Sequence, residues 1–152
     1  MSKILNVGIC VLVATLLIGC ALPQDKEAKA REEKEARRLA EYTGVVVDVR
    51  DCPRLMSPSV RIIDEKGNEI FGPLDVEQES NRFRGMFGRT ETLVGAMHHE
   101  RVGAKPLVVR PLGVRVVGQE IIVSKDDAHK LRIIKKRTDV FRAGRVVLVG
   151  AR

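Results

Sequence analysis

The sequence predicts an α+β fold: a small mixed or antiparallel sheet with two or three helices packed on it, preceded by a charged helical stalk and a signal peptide. Three observations predict it. Short β-branched runs recur between turn-forming residues from Thr43 to Val149. Gln24 to Glu41 carries interleaved charges and no broad apolar stripe. Ile4 to Ile18 is an apolar run behind one basic residue, Lys3.

The apolar run comes first. A short charged start, an apolar centre and small residues at the exit describe a secretory signal peptide. Its end, Leu17-Ile18-Gly19-Cys20, looks like a bacterial lipobox, in which Gly19-Cys20 is the cleavage point and the Cys20 thiol receives a diacylglycerol. A thiol is the natural side-chain nucleophile for a thioether-linked lipid. Each buried methylene adds about 0.8 kcal/mol, and two or three chains give stable anchoring where one does not. As a membrane span the run is short, 15 residues against the roughly 20 that a bilayer asks for. Ala21, where an Asp would retain a bacterial lipoprotein at the inner membrane, favours the outer membrane with the protein facing the periplasm. The expected organisation is a lipoprotein signal peptide over residues 1–19, a lipidated N-terminus and charged tether over 20–41, and an α+β domain over 42–152. The covalent lipid on Cys20 is the only prosthetic group expected; no metal or other cofactor is.

The charge pattern narrows the partners. The chain carries 27 Lys and Arg against 20 Asp and Glu, a formal +7. Loss of residues 1–19 removes Lys3 and no acid, leaving +6. A basic balance suits phospholipid head groups, lipopolysaccharide phosphates, an acidic protein or nucleic acid, and the envelope address argues against the last. There is no Trp, one Tyr (Tyr42) and four Phe, so stacking platforms for sugars or bases are not expected. With Cys10 in the signal peptide and Cys20 acylated, Cys52 has no internal partner. It is read as a free loop thiol or as the bridge of a disulfide-linked dimer, so a homo-oligomer stays open.

The elements follow in order. Residues 24–41 mix Asp25, Glu27, Glu32, Glu33 and Glu35 with Lys26, Lys29, Arg31, Lys34, Arg37 and Arg38; pairs four apart, such as Glu33 and Arg37, support a helix. A helix polar all round reads as a solvated spacer. Thr43 to Val49 reads as a strand, and Arg50 to Pro58, with two prolines, as a loop. Val60 to Ile63 and Glu69 to Gly72 flank Asp64-Glu65-Lys66-Gly67-Asn68, a hairpin pattern in which Gly67 is free to take positive φ. Residues 74–101 suggest one or two short helices around Gly85–Gly88. Pro106 to Arg110, Val114 to Val117 and Glu120 to Val123 read as strands, with a turn at Gly118-Gln119. Ser124-Lys125-Asp126-Asp127 resembles a capping box, and Ala128, Leu131 and Ile134 recur at three-residue spacing in a short helix. Arg145 to Val149 is a final strand.

Five of these stretches carry a resemblance. Tyr42 to Asp48, Met56-Ser57-Pro58, Ile62 to Gly67, Val102 to Val109 and Ile122 to Ala128 together resemble the C-terminal domain of bacterial lipoproteins in the Lpp-twenty and FlgP-like group. The resemblance spans roughly residues 42–150. It implies an outer-membrane lipoprotein, with some members of the group associated with the flagellum, and hence envelope or flagellar proteins as partners. The matching stretches are turns and strand ends, so they speak of fold and not of catalysis. The group often carries an alanine-rich helical region before this domain; here a charged stalk stands in its place.

The remaining motifs bear on chemistry. Arg82-Phe83-Arg84-Gly85-Met86-Phe87-Gly88-Arg89 sets Gly-x-x-Gly among arginines. Glycine-freed amides beside Arg82, Arg84 and Arg89 suit a phosphate, while the plainer reading is a connection with a solvated basic face. Lys130, Arg132, Lys135, Lys136, Arg137, Arg142 and Arg145 form the densest basic run, a second anion-binding candidate or the solvated side of an amphipathic helix. His98 and His99 are adjacent, about 100° apart on a helix, and lack metalloprotease spacing. No Gly-x-Ser-x-Gly surrounds Ser57, Ser59, Ser80 or Ser124. The expectation is a non-enzymatic, lipid-anchored envelope module with a structural or assembly role; the alternative is a periplasmic module that binds an anionic ligand or acidic partner.

Overall fold

The computed structural model describes residues 23–52, 59–79, 82 and 85–150. The signal peptide and the Gly19-Cys20 junction lie outside them, as do Met56-Ser57-Pro58 and Arg84. The chain divides into two units, Met1–Glu33 and Lys34–Arg152.

Helix α1 spans Pro23–Leu39. Its side chains from Lys26 to Glu32 are exposed, as interleaved charges dictate. Its last turn departs from the spacer pattern: Ala36 and Leu39 are buried, Leu39 to 1 % exposure within the core of the second unit.

In the second unit the class is α+β. The strands are β1 (Gly44–Asp48), β2 (Arg61–Asp64), β3 (Glu69–Phe71), β4 (Gly88–Thr90), β5 (Pro106–Val109), β6 (Gly113–Arg115), β7 (Glu120–Val123) and β8 (Val146–Val149). The helices are α2 (Leu93–Met97) and α3 (Lys125–Arg137), with a 3₁₀ turn at Pro73–Asp75.

The strands form two sheets of four where one small sheet was expected. The first has the order β4-β8-β1-β5, and each neighbouring pair is parallel. The second has the order β3-β2-β7-β6, antiparallel at both edges and parallel between β2 and β7. The valine runs explain the parallel sheet. All residues of β1 and β8 are buried, and strands covered on both faces read as continuous apolar runs. Val45, Val47, Val146 and Leu148 face a large core shared with Ile62, Ile121 and Val123 of the second sheet and with Ala128, Leu131 and Ile134 of α3. Val46, Val147 and Val149 point the other way, against Ala96 of α2 and Val102.

The expected hairpin forms as β2–β3. Asp64 ties its turn together by accepting the Lys66 and Asn68 amides at 2.9 and 2.8 Å, and Gly67 sits at φ 86°. Of the one or two short helices expected over residues 74–101, α2 (Leu93–Met97) follows Gly85–Gly88 and residues 78, 79 and 82 before it are helical, while Gly85–Gly88 itself is a turn that runs into edge strand β4. Met86 and Phe87 are buried there, and Gly88 pairs with Val147, so tertiary pairing wins over local preference.

Candidate anion-binding groove

Helix α3 places the basic run. Ser124 caps its start by accepting the Asp127 amide at 3.1 Å, and Ala128, Leu131 and Ile134 bury one face. That anchoring leaves Lys135, Lys136 and Arg137 on the exposed last turn. Basic side chains are favourable there, beside the negative end of the helix dipole.

Two other segments meet this turn. The 3₁₀ turn Pro73–Asp75 is held to α3 by Lys135, whose ammonium lies 2.6 Å from an Asp75 carboxylate oxygen and also donates to the Ile70 carbonyl at 2.8 Å. Asp75 in turn accepts the Gly72 amide at 2.9 Å. The segment after α3 folds back on itself, with Ala143 donating to the Asp139 carbonyl and Arg145 to the Val140 carbonyl. The Glu77 amide donates to the Arg142 carbonyl at 2.9 Å, which fixes the position of Arg142. Phe141 is buried with its ring centroid 5.0 Å from that of Phe71.

Between these segments lies an open groove of about 520 Å³, lined by Leu74, Asp75, Lys135, Lys136, Arg137, Thr138, Asp139, Phe141 and Arg142. Two acids are matched nearby, Asp75 by Lys135 and Asp139 by Arg145 at 3.7 Å. Lys136 and Arg142 add positive charge beyond these pairs, and Arg137 lines the groove beside them. Leu74 stands at the rim, 97 % exposed. The lining is amphipathic, combining these cations with Leu74 and Phe141.

The sequence-predicted residues divide. Lys135, Lys136 and Arg137 come together in the groove, with Lys135 engaged in holding its wall. Arg82 is exposed, and Arg89 lies on β4 with its guanidinium 5.2 Å from the Phe87 ring centroid. Neither lines the groove. Arg84, Gly19 and Cys20 lie outside the described residues. The Gly-x-x-Gly stretch is not an open loop, because Met86 and Phe87 between its glycines are buried. Arg101, which sequence reasoning passed over, is buried and donates to the Gly85 carbonyl at 3.1 Å. Leu74, Asp75 and Phe141 were also passed over; the one available sign was a lone leucine between Pro73 and Asp75 in a turn.

Other candidates resolve into structure. His99 accepts the Arg101 amide at 3.2 Å through Nδ1. Among the described residues no group of His, Cys, Asp and Glu is arranged to hold a metal ion, and no helix is long and apolar enough to cross a membrane. Burial first, then the charges of Asp51 and Asp48, pushes the Cys52 thiol up from its ordinary range. The Arg50 guanidinium, bound to both carboxylate oxygens of Asp48 at 2.8 Å, holds that acid below the usual carboxylate range.

No curated protein matches the chain. A family model described as Treponema pallidum Tp0624, second domain, matches residues 44–151. That span opens on the first residue of β1 and runs past the last of β8, taking in both sheets, α2, α3 and the groove. With both sheets inside the match, the chain belongs to the family of the Tp0624 second domain.

Proposed function

We propose that the chain is a non-enzymatic lipoprotein of the bacterial envelope, anchored in the outer membrane through acylated Cys20, whose α+β domain faces the periplasm as a structural or assembly module. The observation that carries this reading is Leu17-Ile18-Gly19-Cys20 closing a 15-residue apolar run, directly ahead of a helix whose side chains are charged and exposed from Lys26 to Glu32 save Ala28 and Ala30. The non-enzymatic part is supported by the use of Ser124 as a helix cap and by a Cys52 thiol that burial makes less reactive. Kinship with the Lpp-twenty and FlgP-like lipoproteins, and with it a flagellar partner, rests on the five stretches quoted above.

The test is fractionation and radiolabelled palmitate incorporation for wild type and Cys20→Ser. The wild type is expected in the outer membrane and labelled, and Cys20→Ser is expected to be unlabelled and displaced. Identical behaviour of the two overturns the anchor. Crosslinking of the wild type then identifies the partner, and a protein that crosslinks to none loses its assembly role. A second reading, recognition of an anionic ligand, is favoured by the convergence of Lys136, Arg137 and Arg142 on one groove.

A further inference from the structure

We infer that the groove at the end of α3 is a binding site for a phosphate ester, with Lys136 and Arg142 as its principal ligands and Leu74 placed for an apolar substituent of the ester. The inference rests on the second reading above and gives it a ligand class.

Three features select that class. First, the cations come from two segments, Lys136 and Arg137 from α3 and Arg142 from the segment that folds back after it. Cations that line one groove from separate segments can reach the same compact anion, whereas a solvated helix face spreads its cations around the helix. A guanidinium offers paired N–H donors to phosphate oxygens, and an ammonium adds a point charge. Second, the walls are fixed in advance. Lys135 is bound to Asp75 and to the Ile70 carbonyl, and the Arg142 backbone is bound to Glu77. Little ordering is then left to pay for on binding. Third, Leu74 is almost wholly exposed beside the cations. A leucine in that position gains nothing from a small hydrophilic anion and gains from an acyl or other apolar group next to the phosphate.

Two features oppose binding. The last turn of α3 carries the negative end of the helix dipole, and Asp139 lines the groove. Thr138 answers the first in part, because its amide and hydroxyl both donate to the Ile134 carbonyl, at 2.9 and 2.8 Å. Arg145 answers the second.

One phosphate-ester chemistry has two sources here, a membrane phospholipid and a soluble phosphate ester. The experiment takes the full acylated chain in neutral-detergent micelles and reads the acetylation rate of Lys136 against that of Lys125, an exposed lysine at the other end of α3. Added ligands are short-chain phosphatidylglycerol, glycerol phosphate and, as a non-phosphate anion, citrate. Both phosphates are expected to slow Lys136 severalfold at low salt, to spare Lys125, and to lose the effect in high salt. Arg142→Glu is expected to abolish the protection, and Lys125→Glu, which changes net charge equally, to retain it. A stronger effect of phosphatidylglycerol that falls to the level of glycerol phosphate in Leu74→Ser assigns the site to membrane lipid. Equal effects of the two assign it to a soluble ester. Citrate protecting as well as either phosphate overturns the ligand class and leaves anion recognition standing. If no anion protects Lys136, or if Lys125→Glu abolishes protection as fully as Arg142→Glu, both fall.

Discussion

Asp64 shows how a single residue ties the second sheet to α3. Its carboxylate accepts from the Asn68 side chain at 2.9 Å, from the Lys66 and Asn68 amides and from the Arg132 guanidinium of α3. These donors, the Asn68 side chain foremost and then Arg132, hold its pKa well below the usual carboxylate range, against the opposing effect of burial. The sign of the linkage follows. A carboxyl with a depressed folded-state pKa contributes stability that is complete above its unfolded value, about 3.9, and drains away as pH falls below it. Asp64→Asn is therefore expected to lower the urea midpoint at pH 7 and to flatten its decline between about pH 4 and pH 2 relative to wild type. Parallel acid limbs in the two proteins would show that other carboxylates govern the transition. Thr43 and Gly44 make a comparable tie in the first sheet. The Thr43 hydroxyl donates to the Val102 carbonyl at 2.7 Å and accepts the Lys105 amide at 2.9 Å. A Cβ on Gly44 would stand 2.5 Å from the Val102 Cα, so the glycine is required by close approach.

Helix α3 is the element on which the groove depends, and its first turn is held from two directions. Ser124 covers the Asp127 amide, while Glu65 of the β2–β3 turn accepts the Lys125 amide at 2.9 Å. Ser124→Ala is expected to cost about 1 kcal/mol, read as a lower denaturation midpoint with an unchanged slope. A neutral substitution would mean that Glu65 and water suffice for the cap. Such local devices explain what was legible in the sequence. The cap, the three-residue apolar spacing of α3, the β2–β3 turn and the valine runs of β1 and β8 each declare themselves within a few residues. What did not declare itself depends on distant partners. Strand β4 is three residues, Gly88-Arg89-Thr90, with a β-branched side chain only at Thr90, and its pairing with Val147 to Val149 creates it. The parallel order of the first sheet joins β1 to strands about 60 and 100 positions away. The groove follows the same rule. Lys135, Lys136 and Arg137 were visible as a basic run, but their facing wall, Pro73–Asp75, is brought up by the Lys135–Asp75 pair, and no local pattern announces that pairing. The quoted stretches around Thr43 and Val102, and around Glu65 and Lys125, are distant in sequence and meet in pairs in the fold. These contacts hold the fold together and mark no site.

For the molecule as a whole, the boundary between tether and domain is a physical question with a measurable answer. Charge alone puts it at Tyr42, because residues 24–41 have no broad apolar stripe, with Leu39 and Ala40 only at the end. Burial puts it earlier. Leu39 belongs to the same core as Val45, Leu131 and Leu148, and Ala36 is buried one turn before it. The compact unit accordingly begins at Lys34. The Glu41–Lys105 ion pair is exposed on both sides and contributes little to the boundary in comparison. Two truncated chains separate the alternatives. One that starts at Lys34 keeps Ala36 and Leu39 and is expected to match the denaturation midpoint of a chain that starts at Pro23. One that starts at Tyr42 leaves the Leu39 site empty, and truncating a buried leucine costs about 2–5 kcal/mol depending on how far the site collapses. Its midpoint is expected to fall accordingly, and Leu39→Ala in the longer chain should reproduce most of the loss. Equal stability of all three would place Leu39 on the surface of the tether and return the boundary to Tyr42. A fall confined to the Tyr42 chain would show that the last turn of α1 is a working part of the domain core.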